Sequence, residues 1–139
     1  MTRNPFEATA AKVLGLEDAY ETDKISYNVP HTYTPDFVCK DILDQKFYVE
    51  TKGRFPSKDR QKMRRVIVCN PGIRILMVLQ DPRQKEKGLK KTAAQHCEAI
   101  GLPWCTLSVA KEFLADWKQG KYRSLNYKTY QRSKSWGKS

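Results

Sequence analysis

The chain has 139 residues, of which 40% are hydrophobic and 29% charged, and this composition fits a soluble globular protein. No apolar run approaches the roughly 20 residues that a membrane span needs, and the first residues lack the apolar core of a signal peptide. We therefore expect a cytoplasmic protein without a membrane partner.

The charge is distributed unevenly along the chain. The formal net charge is +11, but residues 1–51 hold 5 Lys/Arg against 9 Asp/Glu, whereas residues 52–139 hold 21 against 6. A large positive excess predicts a polyanionic partner, most often nucleic acid. The carboxylates of the acidic first half would repel the phosphates of such a partner. A bound divalent cation is the usual reason for carboxylates close to phosphates.

The order of predicted elements indicates the fold class. Asn4, Pro5 and Glu7 have the pattern of a helix N-terminus, with Asn4 as the cap. Three closely spaced strands predict an antiparallel meander. The predicted elements are a helix from Asn4 to about Gly15, strands over 24–29, 32–39 and 45–51, a basic helix over 58–69 capped by Ser57, a strand over 73–79, a helix over 91–100, a strand over 102–107 and a last helix capped by Ser108.

These elements predict an α/β or α+β domain with a mixed central β-sheet flanked by helices. We assign residues 1–120 to this single domain. Residues 121–139 carry several Lys and Arg, no acid, and interleaved Tyr and Trp, so we predict a basic aromatic C-terminal tail.

The four cysteines are predicted to be small buried hydrophobic residues. Cys39, Cys69, Cys97 and Cys105 show no CxxC spacing, and a reducing cytosol would keep them as thiols. A zinc site containing His96, Cys97 and Cys105 is the alternative, but their spacing matches no zinc module.

Three charged residues have the arrangement of a metal-dependent hydrolytic site. Glu50 and Lys52 are two apart on a predicted strand, so they share one face, and Asp36 lies on the preceding strand. Two carboxylates beside one ammonium suit Mg²⁺, which prefers carboxylate oxygens. The alternative is a cross-strand salt bridge on a solvated face. Pro35 before the Asp, and Gly53 after the Lys, favour a cleft at the strand end instead.

The residues around these three resemble a known family. The strings His-Thr-Tyr-Thr-Pro-Asp-Phe over 31–37 and Val-Glu-Thr-Lys-Gly over 49–53 resemble phage endonuclease I, the Holliday-junction-resolving family of the PD-(D/E)xK nuclease superfamily. PDxK alone is a weak signal, whereas the two extended strings in this order are a strong one. The likeness covers residues 5–80, including the basic stretch over 57–62.

The resemblance implies a restriction-endonuclease-like core and a defined set of site residues. The implied catalytic residues are Glu7, Asp36, Glu50 and Lys52, and the implied metal ligands are Asp36, Glu50, Thr51 and Glu7. Family members place an additional Glu on the first helix. Glu7 matches it best, because the rival Glu17 leaves too little chain before Asp36 for a helix and a strand. The alternative role for Glu7 is helix capping.

The resemblance also implies the reaction and the assembly. The family cleaves branched DNA on two strands with Mg²⁺, or with Mn²⁺ in its place. It forms homodimers with an intertwined sheet, and it needs no small-molecule cofactor. For a phage-encoded chain the expected location is the host cytoplasm. Two alternatives remain: a restriction-like or nicking endonuclease that acts on duplex DNA, and a non-catalytic basic DNA-binding module.

The basic stretch after Lys52 supplies the candidate DNA contacts, because cations beside a metal site would hold phosphates. The alternative is a solvated helix face, or for the histidine a turn residue. The candidates are Arg54, Lys58, Arg60, Lys62 and His31.

Overall fold

The computed structural model describes residues 5–19, 23–28 and 31–137. The helices of this described part pack on a β-sheet, and none of them is long and apolar enough to cross a membrane. The elements are α1 Pro5–Leu14, a 3-10 turn Glu17–Ala19, β1 Ile25–Asn28, β2 His31–Tyr33, β3 Phe37–Lys40, β4 Lys46–Lys52, α2 Ser57–Cys69, β5 Ile75–Leu79, α3 Ala93–Ile100, β6 Trp104–Thr106, α4 Leu107–Lys118 and α5 Tyr127–Gly137.

The central sheet has four strands in the order β3-β4-β5-β6. β3 runs antiparallel to β4, whereas β4, β5 and β6 are parallel to one another. The parallel steps are connected through α2 and α3, as parallel strands require a crossover. The predicted mixed sheet flanked by helices is therefore confirmed.

The predicted antiparallel meander is wrong, because the predicted strand over 32–39 is two strands. β2 pairs with β1 in a separate two-stranded sheet, and β3 pairs with β4. The break falls at residues 34–36, around Pro35. Proline has no N–H to donate to a strand ladder, so the chain can leave one sheet and enter the other at this point.

The core lies on both faces of the central sheet. All five residues of β5 are buried, and alternate ones point to opposite faces. Leu76 and Val78 belong to the cluster that includes α1 and α4 residues, whereas Met77 and Leu79 belong to the cluster with α2 and α3 residues. A strand covered on both faces reads as a continuous apolar run, which explains the pattern over 73–79.

The segment predicted as a tail packs against the sheet. The main chain of Leu125 donates to the Trp104 carbonyl at 2.8 Å, and the Ser124 hydroxyl accepts from the Trp104 N–H at 2.9 Å. The segment therefore covers the outer side of β6, which would otherwise be an open sheet edge. Tyr127 at the start of α5 is buried, with its ring centroid 6.4 Å from that of Trp104.

Several predicted helix ends move by one or two residues. Ser57 is the first residue of α2 rather than its cap, and α4 begins at Leu107, before Ser108. α3 begins after Thr92, whose side chain forms a capping box with Gln95. Gly101 ends α3 in the left-handed conformation, with φ at 92°, which glycine adopts readily. The predicted Asn4 cap lies outside the described residues.

The cysteines follow the buried prediction at three positions of four. Cys39, Cys97 and Cys105 are buried, but Cys69, at the end of α2, is exposed. Cys97 and Cys105 belong to core clusters on opposite sheet faces, so they cannot share a zinc ion with His96. Burial raises the pKa of Cys39 to about 11 and that of Cys105 to about 12.

We expect Cys69 to be modified far faster than the buried thiols when the native protein meets N-ethylmaleimide near neutral pH. The thiolate is the reactive form, and burial suppresses it at the other three positions. Intact-mass and peptide spectrometry would count and place the adducts. Cys69→Ser should remove the fast adduct, and fast labelling of Cys97 in the folded protein would contradict the buried assignment.

Candidate active site

The site forms where β4 extends beyond its antiparallel partner. The last register pair is Phe37 with Val49, so Glu50, Thr51 and Lys52 have no β3 residue opposite them. The side chain of Asp36 instead forms hydrogen bonds with this part of β4. Its Oδ2 accepts hydrogen bonds from the Thr51 main-chain N–H at 2.9 Å and from the Thr51 hydroxyl at 2.8 Å. The carboxylate is thereby fixed at the strand end.

A second set of hydrogen bonds fixes Glu50 beside Asp36. Glu50 Oε1 accepts from the Asp36 main-chain N–H at 3.2 Å and from the Tyr33 hydroxyl at 2.8 Å. Asp36 and Glu50 are only 1% and 6% exposed, respectively, so these acids are buried rather than solvated. Two buried carboxylates held together in this way need a compensating positive charge.

Lys52 supplies a positive charge within the protein. Its Nζ lies 3.6 Å from Glu50 Oε2 and 3.1 Å from Asp59 Oδ2 on the first turn of α2. Burial disfavours the charged ammonium, but the pKa of Lys52 is nevertheless raised by Glu50 and Asp59. The three residues that the spacing predicted to converge, Asp36, Glu50 and Lys52, do converge. The predicted alternative, a solvated cross-strand salt bridge, does not match their burial.

The charge of the site is not balanced by Lys52 alone. Burial and then the neighbouring Asp36 raise the pKa of Glu50 to about 7, although Lys52 and the Tyr33 hydroxyl oppose the shift. Near neutral pH the Glu50 carboxyl therefore holds a proton part of the time. A cation placed between the two carboxylates would replace that proton.

An open cavity of about 600 Å³ lies over these residues and is lined from both faces of the sheet. Glu7 of α1 lines it and is only 3% exposed. Lys62 of α2 and Gln80, just after β5, line it as well. The structure thus places Glu7 at the same cavity as Asp36, Glu50 and Lys52, while the side chain of the rival Glu17 lies outside the described residues.

The similarity of the chain to known proteins extends beyond the two motif strings. The family profile of phage endonuclease I matches residues 3–133. The chain belongs to the phage endonuclease I family. Endonuclease I of Escherichia phage T7 is 32% identical over 124 residues, which is 84% of this chain and 80% of the phage protein. Endodeoxyribonuclease 1 of Enterobacteria phage T3 is 34% identical over 107 residues, 72% of this chain and 68% of that protein.

This family match includes the region after residue 80, where the likeness of the sequence strings is faint. The match reaches residue 133 and so includes the first part of α5, where Tyr127 packs on Trp104. The part of the C-terminal segment that covers the β6 edge is therefore within the family match.

Three residues of the site were not identified from the sequence. Tyr33 donates to Glu50, Asp59 pairs with Lys52, and Gln80 lies beside Gly53 in the cavity wall. A Cβ atom on Gly53 would lie 2.8 Å from Gln80 Oε1, so a glycine leaves room for that amide. Tyr33 belongs to the quoted string over 31–37, but its role depends on a partner 17 residues away.

The candidate DNA contacts differ in their exposure. Lys58 is exposed, Lys62 lines the cavity, and Arg54 is exposed and paired with Glu86 at 3.0 Å. Arg60 is different, because it is buried and its Nη1 donates to the Phe55 carbonyl at 2.7 Å. It thus stabilises the turn between β4 and α2 in this state. His31 lies in β2, and its side chain is outside the described residues.

The residues present fit a hard divalent cation bound through few protein ligands. Among the residues that the structure describes, no group of three or more His, Cys, Asp or Glu side chains is placed to hold a metal ion. Asp36 and Glu50 do lie together, and burial and the neighbouring Asp36 raise the pKa of Glu50, so a cation between the two carboxylates would relieve their repulsion. Mg²⁺ is commonly bound through one or two carboxylates and keeps several waters, so this oxygen donor set suits it.

We expect Thr51→Val to lower the free energy of unfolding by about 1.5–3 kcal/mol, because it removes a buried hydrogen bond to the Asp36 carboxylate. Urea unfolding in EDTA would measure the change. Thr51→Ser keeps the hydroxyl and is the matched control. Equal stability of the two variants would show that the hydroxyl does not fix Asp36.

Proposed function

We propose that this protein is a divalent-metal-dependent endodeoxyribonuclease that hydrolyses phosphodiesters in branched DNA, such as four-way junctions. The observation that carries the proposal is the pair of buried carboxylates, Asp36 and Glu50, held at one strand end beside the Lys52 ammonium in an open cavity. Membership of an endonuclease family supports the DNA endonuclease activity.

The protein groups that would hold the cation are the carboxylates of Asp36 and Glu50 and the main-chain carbonyl of Thr51. Continuing the β3–β4 register by two residues sets Pro35 opposite Thr51. Because proline has no N–H, no ladder hydrogen bond from that position can occupy the Thr51 carbonyl. Glu7 lines the same cavity and would act on the cation through a bound water.

The chemistry that Mg²⁺ supplies when bound is polarisation of a phosphate oxygen and a lower pKa for an adjacent water. Lys52 lies between the carboxylates of Glu50 and Asp59, which favour its ammonium form. It can therefore donate a hydrogen bond to a phosphate oxygen and stabilise the negative charge that develops there. Lys62 lines the same cavity, and its ammonium would hold a neighbouring phosphate.

The buried acids favour an enzyme over a non-catalytic DNA-binding module. A surface that only binds DNA gains nothing from carboxylates, because they repel phosphates. In this chain Asp36 and Glu50 line the cavity near the start of the basic helix α2. They are buried, although burial costs each carboxylate its solvation free energy. A nuclease that acts on linear duplex is the remaining alternative, since the same site would hydrolyse either substrate.

The proposal includes a homodimer, as the family resemblance implies. Two sites in one assembly would allow the cutting of two strands of a junction. Size-exclusion chromatography with light scattering would measure the mass of the assembly, and a monomer at micromolar concentration would argue against paired cleavage.

We expect Asp36→Asn and Glu50→Gln each to reduce Mg²⁺-dependent cleavage of a synthetic four-way junction by roughly 100-fold or more. Each removes one of the carboxylates, and metal-based stabilisation amounts to several kcal/mol. Single-turnover kinetics would measure the rate, and a gel-shift assay in EDTA should show that binding is retained. Asp44→Asn, on the exposed turn before β4, is the matched control. Unchanged cleavage in both site variants would reject the catalytic assignment.

The substrate class has its own test. We expect cleavage of a four-way junction to exceed that of a linear duplex of the same sequence by about tenfold or more at equal enzyme and Mg²⁺, which corresponds to about 1.4 kcal/mol of discrimination. Competition between the two labelled DNAs in one reaction would measure the ratio. A preference for the duplex would support the restriction-like or nicking alternative.

A further inference from the structure

A basic loop connects β5 to α3 on the α2 side of the sheet. This segment, residues 81–92, is called the 81–92 loop below. Its cations are exposed, and the site described above does not use them. They are Arg83, Lys85, Lys87, Lys90 and Lys91.

The loop is fixed to the protein through its main chain. Asp81 Oδ1 accepts from the Arg83 N–H at 3.0 Å, and Ala93 donates its N–H to the Gln84 carbonyl at 2.8 Å. Lys85 and Thr92 form a β-bridge across the loop. The lysine side chains are therefore presented from an ordered support, which reduces the entropy lost when they bind a partner.

The acids of the loop are already engaged. Glu86 pairs with Arg54 at 3.0 Å, and Asp81 lies 4.0 Å from Arg83. Within the described part of the chain, Lys87, Lys90 and Lys91 form no ion pair with an acid. Several like charges on one short loop repel one another, and a polyanion would relieve that repulsion.

The loop is continuous with the basic side of α2 and with the cavity. The Arg54–Glu86 pair joins its middle to the segment directly after Lys52, and Arg54 lines the cavity. At the loop's end, the charge of Lys91 acts on the same group as the arginines of α2. Burial lowers the pKa of His96, and the charges of Arg60, Lys91 and Arg64 lower it further.

We propose that the 81–92 loop and Arg64 form a phosphate-contact surface that holds the backbone of a DNA arm outside the cleavage cavity. The proposal rests on the proposed function and adds a binding surface to it. Phosphate contacts carry no sequence information but position a duplex, so this surface would set affinity and orientation rather than the chemical step.

A DNA arm fits this surface better than an acidic protein segment does. The cations follow one another along the loop and do not surround an apolar pocket. Leu89 is the one large hydrophobic residue that is exposed within this described loop. Protein interfaces contain buried apolar or aromatic anchors at their centre. A backbone of regularly spaced phosphates requires only accessible cations.

The test compares two triple variants with equal changes of charge. The loop variant is Lys87→Gln, Lys90→Gln and Lys91→Gln. The matched control is Lys111→Gln, Lys118→Gln and Lys121→Gln, which are exposed residues on or just after α4, on the opposite sheet face. Junction binding is measured in EDTA over a range of salt concentrations, and junction cleavage is measured with Mg²⁺ at saturating enzyme.

We expect the loop variant to bind the junction roughly 10- to 100-fold more weakly at about 0.1 M salt, with a log–log salt slope shallower by about 2 to 3, close to one per lost phosphate contact. Its cleavage rate at saturating enzyme should remain within about twofold of the wild-type rate, because the cavity is unchanged. An equal loss in the control variant, or an unchanged slope in the loop variant, would overturn the proposal.

The same measurements separate this proposal from the proposed function. If the wild-type protein cuts no DNA but the loop variant still loses affinity and slope, the cleavage proposal fails and the binding surface stands. If cleavage depends on Asp36 and Glu50 while the loop variant binds like the wild type, the cleavage proposal stands and the binding-surface proposal fails. A circular dichroism melt of both triple variants would confirm that each is folded.

Discussion

Beyond the last β3–β4 register pair, the Asp36 carboxylate binds β4 where a main-chain group of β3 would otherwise do so. The site depends on this contact. The carboxylate accepts the Thr51 N–H and hydroxyl, while the Asp36 N–H binds Glu50. Two acids are thus held together where a strand ladder would normally continue. The hydrogen bonds formed at the end of the β3–β4 ladder also hold the two carboxylates close together, so the same contacts end the strand pairing and form the site.

Two helices bring further acidic side chains to this strand end from opposite faces of the sheet. α1 brings Glu7 to the cavity from one face of the sheet, and the first turn of α2 brings Asp59 against Lys52 from the other. The helices are held there by two core clusters that meet on the buried strand β5. A packed core limits movement, so the spacing between the acids and Lys52 is set by the sheet rather than by flexible side chains.

Basic residues divide into two groups according to their surroundings. Lys52 and Arg60 are drawn inward by partners within the fold, Glu50 and Asp59 for the first and the Phe55 carbonyl for the second. Lys58 of α2 and the lysines of the 81–92 loop are exposed, so their charges remain available. A charge count treats Arg60 and Lys58 alike, but burial decides that one supports a turn and the other faces solvent.

The sequence by itself determined the element types as far as α4, the mixed sheet with its flanking helices, and the convergence of Asp36, Glu50 and Lys52. These follow from local periodicity and from residues two apart on one strand, which short-range geometry controls. Only the tertiary structure decided that the strand over 32–39 breaks at Pro35, that Tyr33 and Asp59 bind Glu50 and Lys52, and that the supposed tail covers β6. Those features depend on partners distant in the chain, whose positions are set by packing rather than by any local pattern.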